Sequence, residues 1–176
     1  METWNAICTN RTIRRYDDRA VPEELLLRIV HAGRHSGSSK NLQRWHFVVV
    51  EERATLERLA GVGPWAGHLA DAAAAIALVT PDPHAAGAPL SVVFDVGRAA
   101  ENMILAAWEI GIGSAPATVY DQQLARSILG YPDDLHCEYI LSFGYPADPA
   151  DLERAPRAGG RKPLDEVLRR ERWQGT

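Results

Sequence analysis

Arg11-Thr12-Ile13-Arg14 sets two guanidinium groups and a hydroxyl in one short segment. Such a set can grip a phosphate dianion through charge-assisted, often bidentate hydrogen bonds. Paired arginines also commonly form a solvated face. A second polar stretch, Ser38-Ser39-Lys40-Asn41-Leu42-Gln43, opens with small residues that suit a loop of exposed N–H groups. Its two amides, Asn41 and Gln43, each donate and accept hydrogen bonds, which suits the edge of a flat, heteroatom-rich ligand. An ordinary helix-to-strand connection has the same composition. A third stretch, Gly111 to Tyr120, offers a turn of N–H groups after a helix, and Ser114 to Tyr120 within it reads as a small-residue loop. A fourth, Gly159-Gly160-Arg161-Lys162-Pro163, brings a late cation to the start of a helix, again suited to phosphate.

Other chemistries find less support. The chain has no strand-associated Gly-x-Gly-x-x-Gly and no Gly-x-x-x-x-Gly-Lys-Ser/Thr, so a nucleotide is not held in a Rossmann or P-loop manner. There is no Gly-x-Ser-x-Gly elbow. The histidines form no Glu-flanked zinc motif, so no metal is expected. His31, His35 and His46 read as helix-face or strand residues. The two cysteines, Cys8 and Cys137, form neither a disulfide framework nor a metal motif. With 24% charged residues and a net charge of −4, bulk charge points to neither nucleic acid nor an acidic membrane. The start lacks a basic region followed by an apolar run, and no stretch is long and apolar enough to span a bilayer. A cytoplasmic protein is expected, and 176 residues favour one domain, 1–176.

The elements that must position these residues follow from pattern. Glu2 to Cys8 reads as a short helix with Trp4, Ile7 and Cys8 on one side, and Arg11 to Tyr16 as an extended piece. Pro22-Glu23-Glu24 starts a helix with Leu25, Leu26, Ile29 and Val30 on its apolar face, ending near Ser36-Gly37. Phe47 to Val50 reads as a buried strand, and Glu52 to Leu59 as a helix. Ala72 to Val79 reads as a strand, with helix as the rival, and Pro81 to Pro89 as a loop. Ser91 to Ile110 is apolar nearly all round, with Asp95, Arg98, Asn102 and Glu109 on one narrow stripe, which marks a central, mostly buried helix. Asp121 caps a helix through Leu129 that Gly130 ends. His136 to Phe143 alternates as a strand, the tail from Pro149 to Gly160 is irregular, and Pro163 opens a last helix.

In this order and spacing, several motifs resemble the nitroreductase family of FMN-dependent oxidoreductases. They are Arg11-Thr-Ile-Arg-Arg-Tyr16, Ser38-Ser-Lys-Asn-Leu-Gln-Arg-Trp-His-Phe47, the helix Asp95 to Ile110 running into Gly111-Ile-Gly-Ser-Ala-Pro-Ala-Thr-Val-Tyr120, Phe143-Gly-Tyr-Pro146 and Arg161-Lys-Pro163. The resemblance covers nearly the whole chain. It implies an α+β fold with a central, mostly antiparallel sheet flanked by helices, in an intertwined homodimer with two FMN sites at the interface. It implies that Arg11, Thr12 and Arg14 meet the phosphate, ribityl chain and pyrimidine side of FMN. Ser38 and Ser39 would come from the partner subunit. Asn41 and Gln43 would lie near the isoalloxazine, Asn41 at its pyrimidine edge. Pro116, Ala117, Thr118 and Val119 would run along the ring, with the N–H of Thr118 or Val119 facing flavin N5, and Arg161 would complete the phosphate grip.

The activity so implied is hydride transfer from NADH or NADPH to a flat, electron-poor acceptor such as a nitroaromatic or quinone, in ping-pong fashion. No catalytic side chain is required, because the flavin carries the chemistry. The alternatives are a specialised reaction of the same family (dehalogenation, ene reduction, flavin fragmentation) and a non-catalytic FMN-binding module. The chain departs from the family pattern in Arg44, where proline is usual, in Val119, where glycine is common, and in the short Pro81 to Pro89 region.

Overall fold

Three of the first four residues of Ala74-Ala75-Ile76-Ala77-Leu78-Val79-Thr80-Pro81 are alanine, yet this segment is a strand, β2 (Ala74–Pro81), buried along nearly its whole length. Small side chains on both faces suit a strand with helices above and below it. The computed structural model describes residues 1–155 and 160–173. Among them, β2 is flanked by β1 (His46–Val50) and β4 (Leu135–Gly144), and β4 in turn by β3 (Gly113–Thr118). The order is β1-β2-β4-β3 and every pairing is antiparallel. The α-helices among the described residues are α1 (Thr3–Thr9), α2 (Glu23–Arg34), α3 (Arg53–Leu59), α4 (Ser91–Glu109), α5 (Gln122–Leu129) and α6 (Leu164–Val167).

Strand alternation sorts the core into two layers. Ile76, Leu78, Leu141 and Phe143 pack with Leu26, Ile29, Met103 and Ala107 of α2 and α4. Ala75, Ala77, Val79 and Ile140 pack with Leu56, Leu59 and Ala125 of α3 and α5. The helical flanks and antiparallel sheet are the α+β fold that the motifs imply. Among the described residues no helix is long and apolar enough to cross a membrane.

Four expectations are corrected. Ser114 to Thr118 is not a loop but most of β3, paired with β4. Its serine, alanines and proline hide a strand whose partner lies far along the chain. The Phe47 to Val50 strand is half-exposed rather than buried, because β1 is an edge strand. Trp4, Ile7 and Cys8 of α1 face outward, and the small Ala6 makes the buried contact instead. On α4, Asp95 leaves the expected polar stripe and is buried, while Val93 and Phe94 are exposed.

Candidate functional site

The segment Arg11–Tyr16 lies across the end of β3 and β4. Gly113 and Gly144 oppose each other in the sheet there. A methyl group on Gly113 would fall 2.6 Å from Ile13, and one on Gly144 would fall 2.7 Å from the Tyr16 ring, so these positions must lack side chains. Ile13 N–H donates to Ser114 O at 2.9 Å, Asp17 N–H to Tyr145 O at 2.9 Å, and Ala147 N–H to Arg15 O at 3.0 Å. Tyr16 pins the segment from below: its hydroxyl donates to Ile13 O at 2.6 Å and meets Ser142 Oγ at 2.6 Å.

With Ile13 and Tyr16 turned inward, Thr12 and Arg14 are exposed. Arg11, Thr12 and Arg14 then line one cavity of about 380 Å³ with Arg15, Asp151 and Arg154. Arg154 pairs with Asp151 at 2.6 Å and with Asp148 at 3.7 Å. Arg11 Nη1 donates to Asn10 O at 2.7 Å and to Cys8 O at 3.2 Å, while its buried Nε has no partner among the described residues. A cluster of guanidinium groups lining one cavity suits a phosphate group. Sequence reasoning missed Arg154, whose place in the cavity follows from the turn at Pro149–Leu152. Arg161 is exposed and is not among the residues lining this cavity. Gly159 of the same stretch lies outside the described residues.

Strand parity decides which N–H groups of β3 are free. Ser114 turns its carbonyl toward Ile13, away from β4, and Val119 N–H donates to Glu138 O of β4 at 3.0 Å. Alternation therefore points Ala115 and Ala117 at β4, and Pro116 and Thr118 at the free edge. Proline is tolerated at 116 because its missing N–H belongs to that edge. Of the two expected donors, Val119 is engaged and Thr118 N–H is on the open edge. Gly63 comes up against the Thr118 carbonyl on this edge.

Ser38, Ser39, Asn41 and Gln43 lie elsewhere, in the loop before β1. Lys40, Asn41 and Gln43 all adopt positive φ, of 52°, 56° and 46°. A non-glycine residue in that region costs on the order of 1–3 kcal/mol, and such strain clusters at ligand sites. Among the contacts that hold the loop, Ser39 N–H donates to the buried Asp95 Oδ2 at 2.8 Å, and Gln43 N–H to Ser38 Oγ at 3.0 Å. Asn41 and Gln43 are left exposed. Asp95 escaped sequence reasoning because its helical spacing matched that of solvated residues. Arg44 faces the Pro81–Pro89 turn and Asp134, lining a second cavity with them.

Beneath β3, the buried His68 places Nδ1 2.8 Å from Ser142 Oγ, joining the contact to Tyr16, and its Nε2 has no partner among the described residues. Burial, and next the charge of Arg14, hold His68 below the ordinary imidazole range, against a smaller raising effect of the Pro116 backbone. The folded state thus favours the neutral ring. Its stabilisation is complete above the unfolded value of about 6.5 and is lost as pH falls from there through the lowered folded value. Melting temperature should therefore fall between pH 7.5 and pH 5 more steeply for the native chain than for His68→Gln, which keeps a neutral donor to Ser142. Equal slopes would show that His68 does not contribute.

Comparison with known proteins points to one family. The family model described as "Nitroreductase family" matches residues 7–62 and 61–145. A protein of Archaeoglobus fulgidus, provisionally named NADH dehydrogenase/NAD(P)H nitroreductase, is 35% identical over 159 residues, 88% of this chain and 91% of that one. The solved structure of an FMN-dependent nitroreductase from Clostridium difficile is 27% identical, with a TM-score of 0.71 over 82% of this chain and 88% of that one. The NADPH:FMN oxidoreductase of Vibrio harveyi, solved with NAD+, shares the fold at 21% identity, with a TM-score of 0.85 over 99% of this chain and 79% of that one. With its arginine segment, its strained loop and its open strand edge all inside the matched residues, the chain belongs to the nitroreductase family.

Proposed function

We propose that this chain is an FMN-dependent oxidoreductase that takes hydride from NADH or NADPH and reduces a flat, electron-poor acceptor, a nitroaromatic or quinone, with donor and acceptor using one site in turn. The observation that carries this reading is the cavity of Arg11, Thr12 and Arg14, beside a strand whose parity turns the Thr118 N–H to its outer edge. The Clostridium difficile relative is named as FMN-dependent, which supports the same cofactor here. Bound there, FMN supplies the hydride chemistry. The chain's residues do the rest: Arg11 and Arg14 hold the phosphate, Thr12 meets the ribityl side, and the backbone from Pro116 to Thr118 lies along the ring.

The remaining ligands come from a second copy of the chain. The Ser38–Gln43 loop enters β1, at one edge of the sheet, and Thr118 lies at the other edge. Three strand spacings of about 4.8 Å put those edges roughly 14 Å apart. Groups at opposite edges of one sheet favour a homodimer, which gives each site an arginine segment from one protomer and a Ser38 loop from its partner.

Anaerobic addition of NADH or NADPH to the purified yellow protein tests the function. Bleaching of the flavin, then reoxidation by a quinone or nitroaromatic, is the expected result. A bound flavin that neither nicotinamide bleaches would make the protein a storage module instead. Each charged hydrogen bond to phosphate contributes about 1.5–3 kcal/mol. Arg11→Ala and Arg14→Ala should therefore each weaken FMN binding roughly tenfold to a hundredfold, measured by titrating apoprotein. Unchanged affinity in both would remove the arginines from the site.

A further inference from the structure

Among the described residues, one group of side chains outside the proposed flavin site has the make-up of a metal centre. His136 and Glu138 are two apart on β4, and His84 lies on the turn after β2. Their ligand atoms all lie within 4.8 Å of one another. Both imidazoles point Nε2 at the same carboxylate oxygen, Glu138 Oε2, at 3.1 Å from His84 and 2.8 Å from His136. The rings meet edge to face with centroids 5.4 Å apart. A tetrahedral zinc ion held at about 2.0–2.1 Å sets its ligand atoms roughly 3.3–3.4 Å apart. The three atoms need shift little to receive one.

The surroundings are built to hold this arrangement. The register slips between Leu78 and Val79, which oppose Tyr139 and Cys137, so Glu138 is the extra residue of a β-bulge. Bulges re-aim side chains in this way. Asp82 Oδ1 accepts the His84 backbone N–H at 2.8 Å, which folds the turn so that the His84 ring returns over β4. The same oxygen lies 3.7 Å from His136 Nδ1, the ring nitrogen turned away from Glu138. A carboxylate behind a histidine is the usual outer partner of a metal ligand, fixing its tautomer and orientation. The other close histidine pair, His31 and His35, differs: the Arg34 guanidinium lies 3.5 Å from one ring nitrogen and 3.2 Å from the other, which disfavours a cation.

We propose that His84, His136 and Glu138 bind one divalent transition-metal ion of the zinc type per chain, with Asp82 as outer partner, and that the ion fastens the Pro81–Pro89 turn to β4. Two imidazoles and one carboxylate suit zinc and leave a fourth position for water. None of these residues is assigned to FMN.

Zinc itself is the probe. Flavin-loaded protein, treated with chelator and dialysed, is titrated with Zn²⁺ by calorimetry, and its metal content is then measured. One zinc per chain is expected. His84→Ala and Glu138→Gln should each weaken binding at least tenfold, Asp82→Asn by about 10–100-fold, and His31→Ala should leave it unchanged. Zinc should also raise the melting temperature of the native chain but not of His84→Ala, because a ligand that binds only the folded state stabilises it. Failure of the native chain to bind zinc, or equal binding by His84→Ala and Glu138→Gln, would overturn the proposal.

Discussion

Replacing Thr118 by proline should slow hydride uptake from NAD(P)H about a hundredfold, whereas Thr118→Ala should leave it close to the native rate. Removing one preorganised N–H from a site of developing negative charge costs about 10²–10³ in rate. Proline deletes that N–H without adding charge, and alanine keeps it. β3 tolerates the change for a visible reason. Thr118 has the same parity as Pro116 and gives no N–H to β4, so no sheet bond is lost. The preceding Ala117 is already in extended backbone, as a residue before proline prefers. FMN should stay bound in both variants, since Arg11 and Arg14 are untouched. Stopped-flow bleaching of the flavin-loaded variants gives the comparison. Equal rates would exclude Thr118 as the donor, and Val119 could not replace it, because its N–H is bound to Glu138 O. The bleached protein should then be reoxidised by a quinone or nitroaromatic after all nicotinamide has left. Kinetics that need both substrates bound at once would rule out the alternating scheme.

What the sequence revealed, and what it hid, divides along the range of the interactions. The cap of α5 was legible because it is local: Asp121 accepts the Leu124 N–H at 2.8 Å, and Gly130 takes the left-handed conformation that ends the helix. The arginine segment was legible because its charges are adjacent in sequence. β3 was not, since Ser114, Ala115, Pro116 and Ala117 have no strand pattern of their own, and only pairing with β4 makes them one. Asp95 and Ser39 are far apart in sequence, and nothing local to α4 shows that a loop N–H will bury that carboxylate. His84 and Glu138 meet only because β2 and β4 are paired with one residue bulged out. The order of the motifs conveyed the family, while only the register of the sheet shows that the Val119 N–H is bonded to Glu138 O.

Aspartate at both Leu90 and Phe94 should turn the protein into a monomer and strip it of FMN. Leu90 is 92% exposed and Phe94 67% exposed, at the start of a helix whose other apolar residues are largely buried. Single exposed apolar side chains are ordinary, but Leu90, Val93 and Phe94 form a contiguous patch, which suits an interface. Across a two-fold interface each residue counts twice, so four side chains leave water. At about 1.5–3 kcal/mol each, their burial amounts to roughly 6–12 kcal/mol. Losing it would carry a nanomolar dimer constant to about millimolar, before the cost of bringing like charges together. The native protein should sediment only as a dimer at micromolar concentration, and the double variant as a monomer. Circular dichroism should stay unchanged, because neither side chain is part of the chain's own core. Flavin loss should accompany dissociation, because the proposed site takes its Ser38–Gln43 loop from the partner subunit. A double variant that stays dimeric and yellow would move the interface away from the start of α4. A native monomer that keeps its flavin would contradict the shared site itself, since one sheet would then have to bring both of its edges to the same ring.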